Sequence, residues 1–238
     1  MGDEDMGEAK TINGKINIGG YSLFVNYYGE GEHTVIFESG LGHSSEDWSL
    51  IQPEISKMAR TFSYDRVGIG NSDTTKSQRT CLVQVHALHT LLDKVRAKPP
   101  YIIVAHSIGG FNARVFAATY PKEVAGIVFV DCSHENQFVK LKGKQLKEMK
   151  ELIDSIEHSY DVISSGNEVK KLRDKDCIRN IPIIVLRAVQ PAFDQNDLST
   201  LSKFSKIIHV KDCGHFVQSD QPQIIIDSIK ELIGKTKI

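Results

Sequence analysis

Residues Tyr101–Pro121 read YIIVAHSIGGFNARVFAATYP, and this stretch decides the fold. Tyr101–Ala105 is a continuous apolar run, the pattern of a strand buried on both faces of a sheet. Ile108–Tyr120 follows at once with helical spacing and is closed by Pro121, which cannot continue a helix. The chain must therefore turn sharply at Ser107, and a side chain on such a turn stands clear of the sheet where a base can reach it. Strand and helix backbones crowd there, so the neighbours two positions away have to be small; Ala105 and Gly109 meet that need. The helix N-terminus also brings free N–H groups and a positive dipole end beside the hydroxyl, so the N–H of Ile108 is placed to donate to an oxyanion. A serine that merely caps the helix is the structural alternative.

Outward from this stretch, strand-like and helix-like segments alternate. Residues 12–18 and 21–28 carry β-branched and aromatic residues around Gly19-Gly20 and predict an antiparallel hairpin. His33–Glu38 and Arg60–Tyr64 read as strands, with a helix over Asp47–Ala59 between them (Trp48, Ile51, Ile55 and Met58 on one face). Gln78–Val95 predicts a long helix stopped by Pro99-Pro100. Val124–Val130, Ile183–Leu186 and Lys206–Val210 are further strands, a short helix falls near Asp197–Lys203, and Pro222–Ile233 is a final helix. The Lys/Glu-rich region between Ser133 and Asn180 is longer than a usual connection. Its apolar residues Leu146, Met149, Leu152, Ile153 and Ile156 keep helical spacing. It predicts a helical cap insertion at about residues 134–180. The alternation predicts an α/β fold of about eight mostly parallel strands flanked by helices. Residues 1–10 read as a flexible tail, and residues 11–238 as a single domain.

Four motifs carry a family resemblance. AHSIGG (Ala105–Gly110) resembles the nucleophile elbow of the α/β-hydrolase family, usually GHSxGG, with Ala105 in place of the first glycine. ESGLGHSSEDW (Glu38–Trp48) resembles its oxyanion loop, YDRVGIGNSD (Tyr64–Asp73) the loop after the fourth strand, and DCGHFVQSDQP (Asp212–Pro222) the histidine loop. They stand in family order across roughly residues 15–236. The resemblance implies an α/β-hydrolase fold with Ser107 as nucleophile and His215 as base. It further implies the N–H groups of Leu41 and Ile108 as an oxyanion hole, and Asp65 and Arg66 as loop braces. His215 follows the strand Lys206–Val210 by a short loop in which Gly214 allows a tight turn. An imidazole titrates near neutrality, as a base that later returns its proton must. The third member should be a carboxylate that orients the imidazole. Asp131, directly after the run VFV at the carboxyl edge of the sheet, is the first choice; Asp194 and Asp197 are the alternatives. His106 reads as structural, His43 and His134 as pocket-lining residues, and Trp48 and Phe111 as core.

The rest of the sequence sets bounds. In 238 residues, 40% are hydrophobic and 25% charged, with a net charge of −1, so no electrostatic footprint for nucleic acid exists. Lysines gather between Lys140 and Lys175, but Glu148, Glu151, Asp154 and Glu157 interrupt them, which reads as a solvated helical face. No run approaches the roughly 18 apolar residues of a membrane span, and the acidic start MGDEDMGEAK is not a signal peptide. Cys81, Cys132, Cys177 and Cys213 form no CxxC pair and read as reduced thiols in a cytoplasmic protein. With no metal-ligand cluster and no dinucleotide or GxxxxGK[ST] loop, no cofactor is implied. The expectation is a carboxylesterase-like serine hydrolase. It would cleave an ester or related acyl bond of a small molecule through a Ser-His-Asp triad and an acyl-enzyme. The competing reading is a non-hydrolytic small-molecule receptor or lyase using the same pocket.

Overall fold

The computed structural model describes residues 11–173, 177–188 and 196–236. The expected tail, residues 1–10, and Asp194 lie outside the described residues. Among the described residues, eight strands are named in chain order: β1 (Ile12–Asn17), β2 (Ser22–Tyr28), β3 (Thr34–Glu38), β4 (Arg60–Tyr64), β5 (Tyr101–His106), β6 (Val124–Val130), β7 (Ile183–Ala188) and β8 (Ser205–Val210). They form one sheet in the order β1-β2-β4-β3-β5-β6-β7-β8. The hairpin β1–β2 is antiparallel and joins β4 antiparallel; the remaining pairs are parallel. From β3 the chain steps to β4 on one side, then crosses to β5 on the other. The carboxyl ends of β3 and β5 thus flank the point where the strand order reverses, which is where open α/β sheets bind ligands.

Helices cover both faces: α1 (Gln52–Ile55), α2 (Cys81–Val95), α3 (Gly109–Thr119), α4 (Asn136–Val139), α5 (Gly143–Ile156), α6 (Val162–Arg173), α7 (Val217–Asp220) and α8 (Pro222–Lys235). Side chains alternate across a strand, so the central strands feed two separate cores. Ile103 and Ala105 of β5 join Leu88, Phe111 and Phe116 of α2 and α3. Ile102 and Val104 join Ile225 and Ile229 of α8 on the opposite face. Burying each such Ile, Val or Phe contributes roughly 1.5–3 kcal/mol, which is why β5, β6 and β7 read as unbroken apolar runs. Trp48 and Phe111 are fully buried, as expected.

Two helix expectations change. Asp47–Ala59 does not form one helix; a 3-10 turn at Ser45–Trp48 is followed by the separate α1. Pro53 lies in the first turn of α1, where its missing N–H costs nothing. In a continuous helix it would sit in the interior and break a hydrogen bond. Likewise α2 begins at Cys81, not Gln78. Arg79 is extended, its N–H donating to Ser159 O and its carbonyl accepting from Asp161 N–H, both at 2.8 Å. The helices α4, α5 and α6 fall within the expected insertion between β6 and β7, and α5 presents Leu152 and Ile156 to solvent.

Gly109 fixes how closely α3 approaches β3. A Cβ there would lie 2.7 Å from both Glu38 O and Ser39 O, backbone atoms that cannot swing aside. Gly109→Ala is expected to lower stability by about 1–3 kcal/mol, measured by urea denaturation. Gly14→Ala, where a Cβ meets nothing within 4 Å, serves as the control and should leave the midpoint unchanged or slightly raised.

Candidate active site

Ser107 joins β5 to α3 with φ 54°, a left-handed conformation that costs a residue other than glycine about 1–3 kcal/mol. Its own backbone bonds hold it there. The N–H donates to Val130 O at 3.2 Å, and the carbonyl accepts from Gly110 N–H at 3.1 Å and Ser133 N–H at 3.0 Å. Gly110 has no room for a side chain, since a Cβ would meet Cys132 Sγ at 2.8 Å. The Cys132 thiol in turn donates to Ala105 O at 3.0 Å, and burial pushes its ionisation well up. Cys81 and Cys132 are buried free thiols.

The structure brings Ser107, His215 and Asp131 together. His215 Nε2 lies 3.0 Å from Ser107 Oγ, and Nδ1 lies 2.7 Å from Asp131 Oδ2. A carboxylate only accepts, so Nδ1 carries the proton and Nε2 is left to accept from the serine hydroxyl. Asp131 is fully buried at the end of β6, with φ 42°; its Oδ1 accepts from Ala188 N–H at 3.3 Å. Asp197 stands elsewhere, its carboxylate 3.6 Å from His134 Nε2. In the histidine loop the left-handed residue is Asp212 (φ 55°), not Gly214; Gly214 instead donates its N–H to Asp220 Oδ2 at 2.9 Å.

His106 is structural, as expected, and its role is specific. Its Nε2–H donates to the carbonyl of His215 at 2.9 Å, and Nδ1 accepts from Gln218 Nε2 at 3.3 Å. The two imidazoles lie 4.6 Å apart. His43 sits alongside, bonded to Asp47 at 3.1 Å and 5.2 Å from the Phe216 ring. His134 does not join this group; its Nε2 accepts from Arg173 Nη2 at 3.1 Å. It belongs to a cluster in which Glu135 accepts from Arg114 and Arg173, each at 2.7 Å. Burial alone would raise the Glu135 carboxyl, but the two guanidinium groups hold it down at about 2.

The loop after β3 rests on a second buried cluster that the motifs did not announce. Arg66 donates to Glu38 Oε1 at 2.9 Å and, through Nε and Nη2, to Glu157 Oε1 and Oε2 at 3.0 and 2.8 Å. It also donates to the carbonyls of Ser39 at 2.6 Å and Gly40 at 2.5 Å. Glu157 Oε2 accepts from Gly42 N–H at 3.2 Å, and Arg79 Nη1 stands 3.8 Å from Glu157. Two cations and two anions are thus buried together. Burial works against the Glu157 carboxylate, but Arg66 outweighs it and the net direction is down. The reading of Glu157 as part of a solvated face is therefore wrong: it is 1% exposed, because it lies past the last turn of α5 and faces inward. Asp65 and Arg66 both brace loops, but separately. Asp65 accepts from the N–H groups of Ser45 and Asn71, each at 2.8 Å. Among the described residues, no hydrogen-bond acceptor is found for the N–H of Leu41 or of Ile108.

Burial, reinforced by the adjacent His215, pushes the His106 imidazole down from 6.5 to about 3. The unfolded chain takes up this proton as pH falls below about 6.5, while the folded chain stays neutral. The stability is therefore intact above pH 6.5 and lost as pH falls toward 3, at up to about 1.4 kcal/mol per pH unit. His106→Gln should remove about one proton from the slope of unfolding free energy between pH 6.5 and 5, measured by urea titrations at several pH values.

The alpha/beta hydrolase fold family matches this chain over residues 33–156. The uncharacterized protein YqjL of Bacillus subtilis (strain 168) is 29% identical over 207 residues, 81% of this chain and 80% of YqjL. Among solved structures, Cfl2 from Burkholderia cenocepacia superposes with a TM-score of 0.76 at 18% identity, covering 91% of this chain and 94% of Cfl2. A thermophilic esterase from Thermogutta terrifontis gives 0.72 at 17% identity, over 98% and 100% of the two chains. Likeness at such identity speaks for the fold, and with residues 33–156 matched the chain belongs to the alpha/beta hydrolase fold family.

Proposed function

We propose that this protein is a serine esterase in which Ser107, His215 and Asp131 act as nucleophile, base and orienting acid. The single observation that carries the reading is the hydrogen-bonded chain from Ser107 Oγ through the imidazole to a fully buried carboxylate. Asp131 fixes the tautomer, so Nε2 takes the hydroxyl proton as Ser107 Oγ attacks the substrate carbonyl. The carbonyl oxygen takes up the negative charge, and the N–H groups of Leu41 and Ile108 donate to it. The imidazolium then gives its proton to the leaving alcohol, leaving an acyl-serine. Water, deprotonated by the same imidazole, adds to the acyl carbon, and the proton returns to Ser107 Oγ as the acid departs.

The acyl group meets an apolar rim in this reading. Gly42, at φ 71°, is covered by Ile156, whose Cγ2 would lie 2.3 Å from a Cβ there. Phe216 lies 5.4 Å from the His215 ring and is 42% exposed. Ile156 belongs to the helical insertion, which we assign as a cap over the site. Such a rim favours uncharged esters of small to medium acyl length. A cytoplasmic setting is part of the same reading and is supported by the free thiols of Cys81, Cys132 and Cys177.

The test is turnover of p-nitrophenyl acetate, butyrate and octanoate by the wild type, Ser107→Ala and Asp131→Asn. Butyrate should be hydrolysed fastest. Ser107→Ala should lose on the order of 10⁴-fold or more in kcat, and Asp131→Asn a comparable amount through the wrong tautomer. Equal rates in wild type and Ser107→Ala would assign the pocket to binding and not to hydrolysis.

A further inference from the structure

The direction of the Leu41 N–H is set from behind by the two donors on the Gly40 carbonyl, the Arg66 guanidinium and, at 3.2 Å, the N–H of His43. The Gly40–Leu41 peptide is trans, and a planar trans unit points its C=O and N–H in opposite directions. Arg66 Nη2 holds the Gly40 carbonyl at 2.5 Å, so the Leu41 N–H points away from the guanidinium. Gly40 itself packs on the turn at Ser107; a Cβ there would lie 2.9 Å from His106 Nδ1 and 3.4 Å from Ser107 Cβ. The next peptide is held as well, since Gly42 N–H donates to Glu157 Oε2 at 3.2 Å. Rotating either peptide breaks a buried hydrogen bond to an ionised group. Donation from a guanidinium also polarises the Gly40–Leu41 unit, which makes its N–H a stronger donor.

Glu157 makes this arrangement conditional on the helical insertion. It binds Arg66 with both oxygens and comes from the turn between α5 and α6. That turn is seated on the start of α2. Arg79 exchanges backbone bonds with Ser159 and Asp161, and its Nη2 donates to the carbonyl of His158. We propose that Arg66 and Glu157 are positioning residues for the Leu41 amide, so that this donor is aimed only while the insertion is docked on the sheet. The inference rests on Leu41 being an oxyanion donor, as proposed above. Without the Glu157 charge, Arg66 and Arg79 face Glu38 alone. Arg66 is then drawn toward Glu38 and off the Gly40 carbonyl.

The experiment compares wild type with Glu157→Gln, which keeps the shape and removes the charge. Active sites are first counted with a fluorophosphonate, so that rates refer to competent protein. A trifluoromethyl ketone then probes the oxyanion site. Ser107 Oγ adds to its carbonyl carbon, the hydroxyl proton passes to His215, and the ketone oxygen becomes the hemiketal oxyanion. Loss of a whole oxyanion donor costs about 10²–10³-fold in kcat, and a misaimed one should cost less. The expectation for Glu157→Gln is a fall of about 10- to 100-fold in kcat per labelled site on p-nitrophenyl butyrate, in proportion to the loss set by that donor. KM should change little, and the inhibition constant of the ketone should rise in step with the loss of kcat/KM.

A merely structural role would lower the number of labelled sites and leave kcat per site and ketone affinity unchanged; that result overturns the proposal. Should Glu157→Gln fail to fold, Arg66→Lys is read in the same way, because an ammonium cannot span both carbonyls and both carboxylates. Wild-type turnover no faster than Ser107→Ala would overturn the esterase reading, and this inference with it. An active wild type with unaffected variants overturns this inference alone.

Discussion

Two carbonyl oxygens, of Glu38 and Ser39, stand where a methyl group on Gly109 would have to go. Because that position is empty, the first turn of α3 closes onto the end of β3, and the two loops at the strand-order reversal meet. Ser107 is then forced into φ 54°, and the bonds from Gly110 and Ser133 to its carbonyl keep it there. The surrounding structure supplies the stabilisation that a left-handed serine lacks by itself. Once the turn is fixed, β6 and β8 bring Asp131 and His215 to it along one edge of a parallel sheet. Three residues separated by up to 108 positions meet because the loops after β5, β6 and β8 leave the same edge of the sheet, with β7 lying between the last two strands.

The fold was legible because its strands are buried on both faces. Tyr101–Ala105 and Val124–Val130 have no polar alternation to confuse with another pattern, and Pro121 marks a helix end by a covalent constraint. The misreadings fall where a local pattern met a distant partner. Apolar spacing ran through Asp47–Ala59, but Pro53 allows a helix only from its own first turn. Gln78–Thr80 looked helical, but the backbone of Arg79 is claimed by Ser159 and Asp161, about 80 residues away in sequence. Of the site, Ser107 and His215 could be named because each lies in a recognisable motif just past a strand, whereas Asp131 was preferred to Asp194 and Asp197 only for its place directly after an apolar run. Glu38 and Glu157 could not. A carboxylate closing the apolar run TVIFE was the one available hint of a buried pair. Glu157 closes a Lys/Glu-rich helix and differs from its exposed acidic neighbours through contacts with Arg66, Gly42 and Arg79.

The two ionic arrangements near the site behave differently with pH. The ring centroids of His106 and His215 lie 4.6 Å apart with the rings tilted by 44°, so charge on one disfavours charge on the other. Burial, reinforced by the adjacent His215, pushes His106 down to about 3 and keeps it neutral. The neutral His106 keeps one N–H, and it uses it on the carbonyl of His215. It therefore braces the proposed base without competing for its proton. The Glu38, Arg66, Arg79 and Glu157 cluster has the opposite character. Its charges balance, and removing any one leaves a buried charge uncompensated, at about 3–5 kcal/mol.

That balance has a consequence for how the insertion and the sheet cooperate. An insertion held on the sheet by apolar contact alone could lift while leaving the loop after β3 unchanged. Here the contact is ionic, and its cationic half, Arg66, is also the group that holds the carbonyls of Ser39 and Gly40. Lifting the turn at Glu157 would release Gly42 N–H and expose Arg66 to Glu38 without its second partner. Docking of the insertion and aiming of the Leu41 amide are then one equilibrium and not two. In the esterase reading proposed above, an acyl group that pressed on Ile156, next to Glu157 in sequence, would act directly on the joint. The selectivity of such an enzyme would follow from which acyl groups fit beneath Ile156 while Glu157 stays bonded to Arg66.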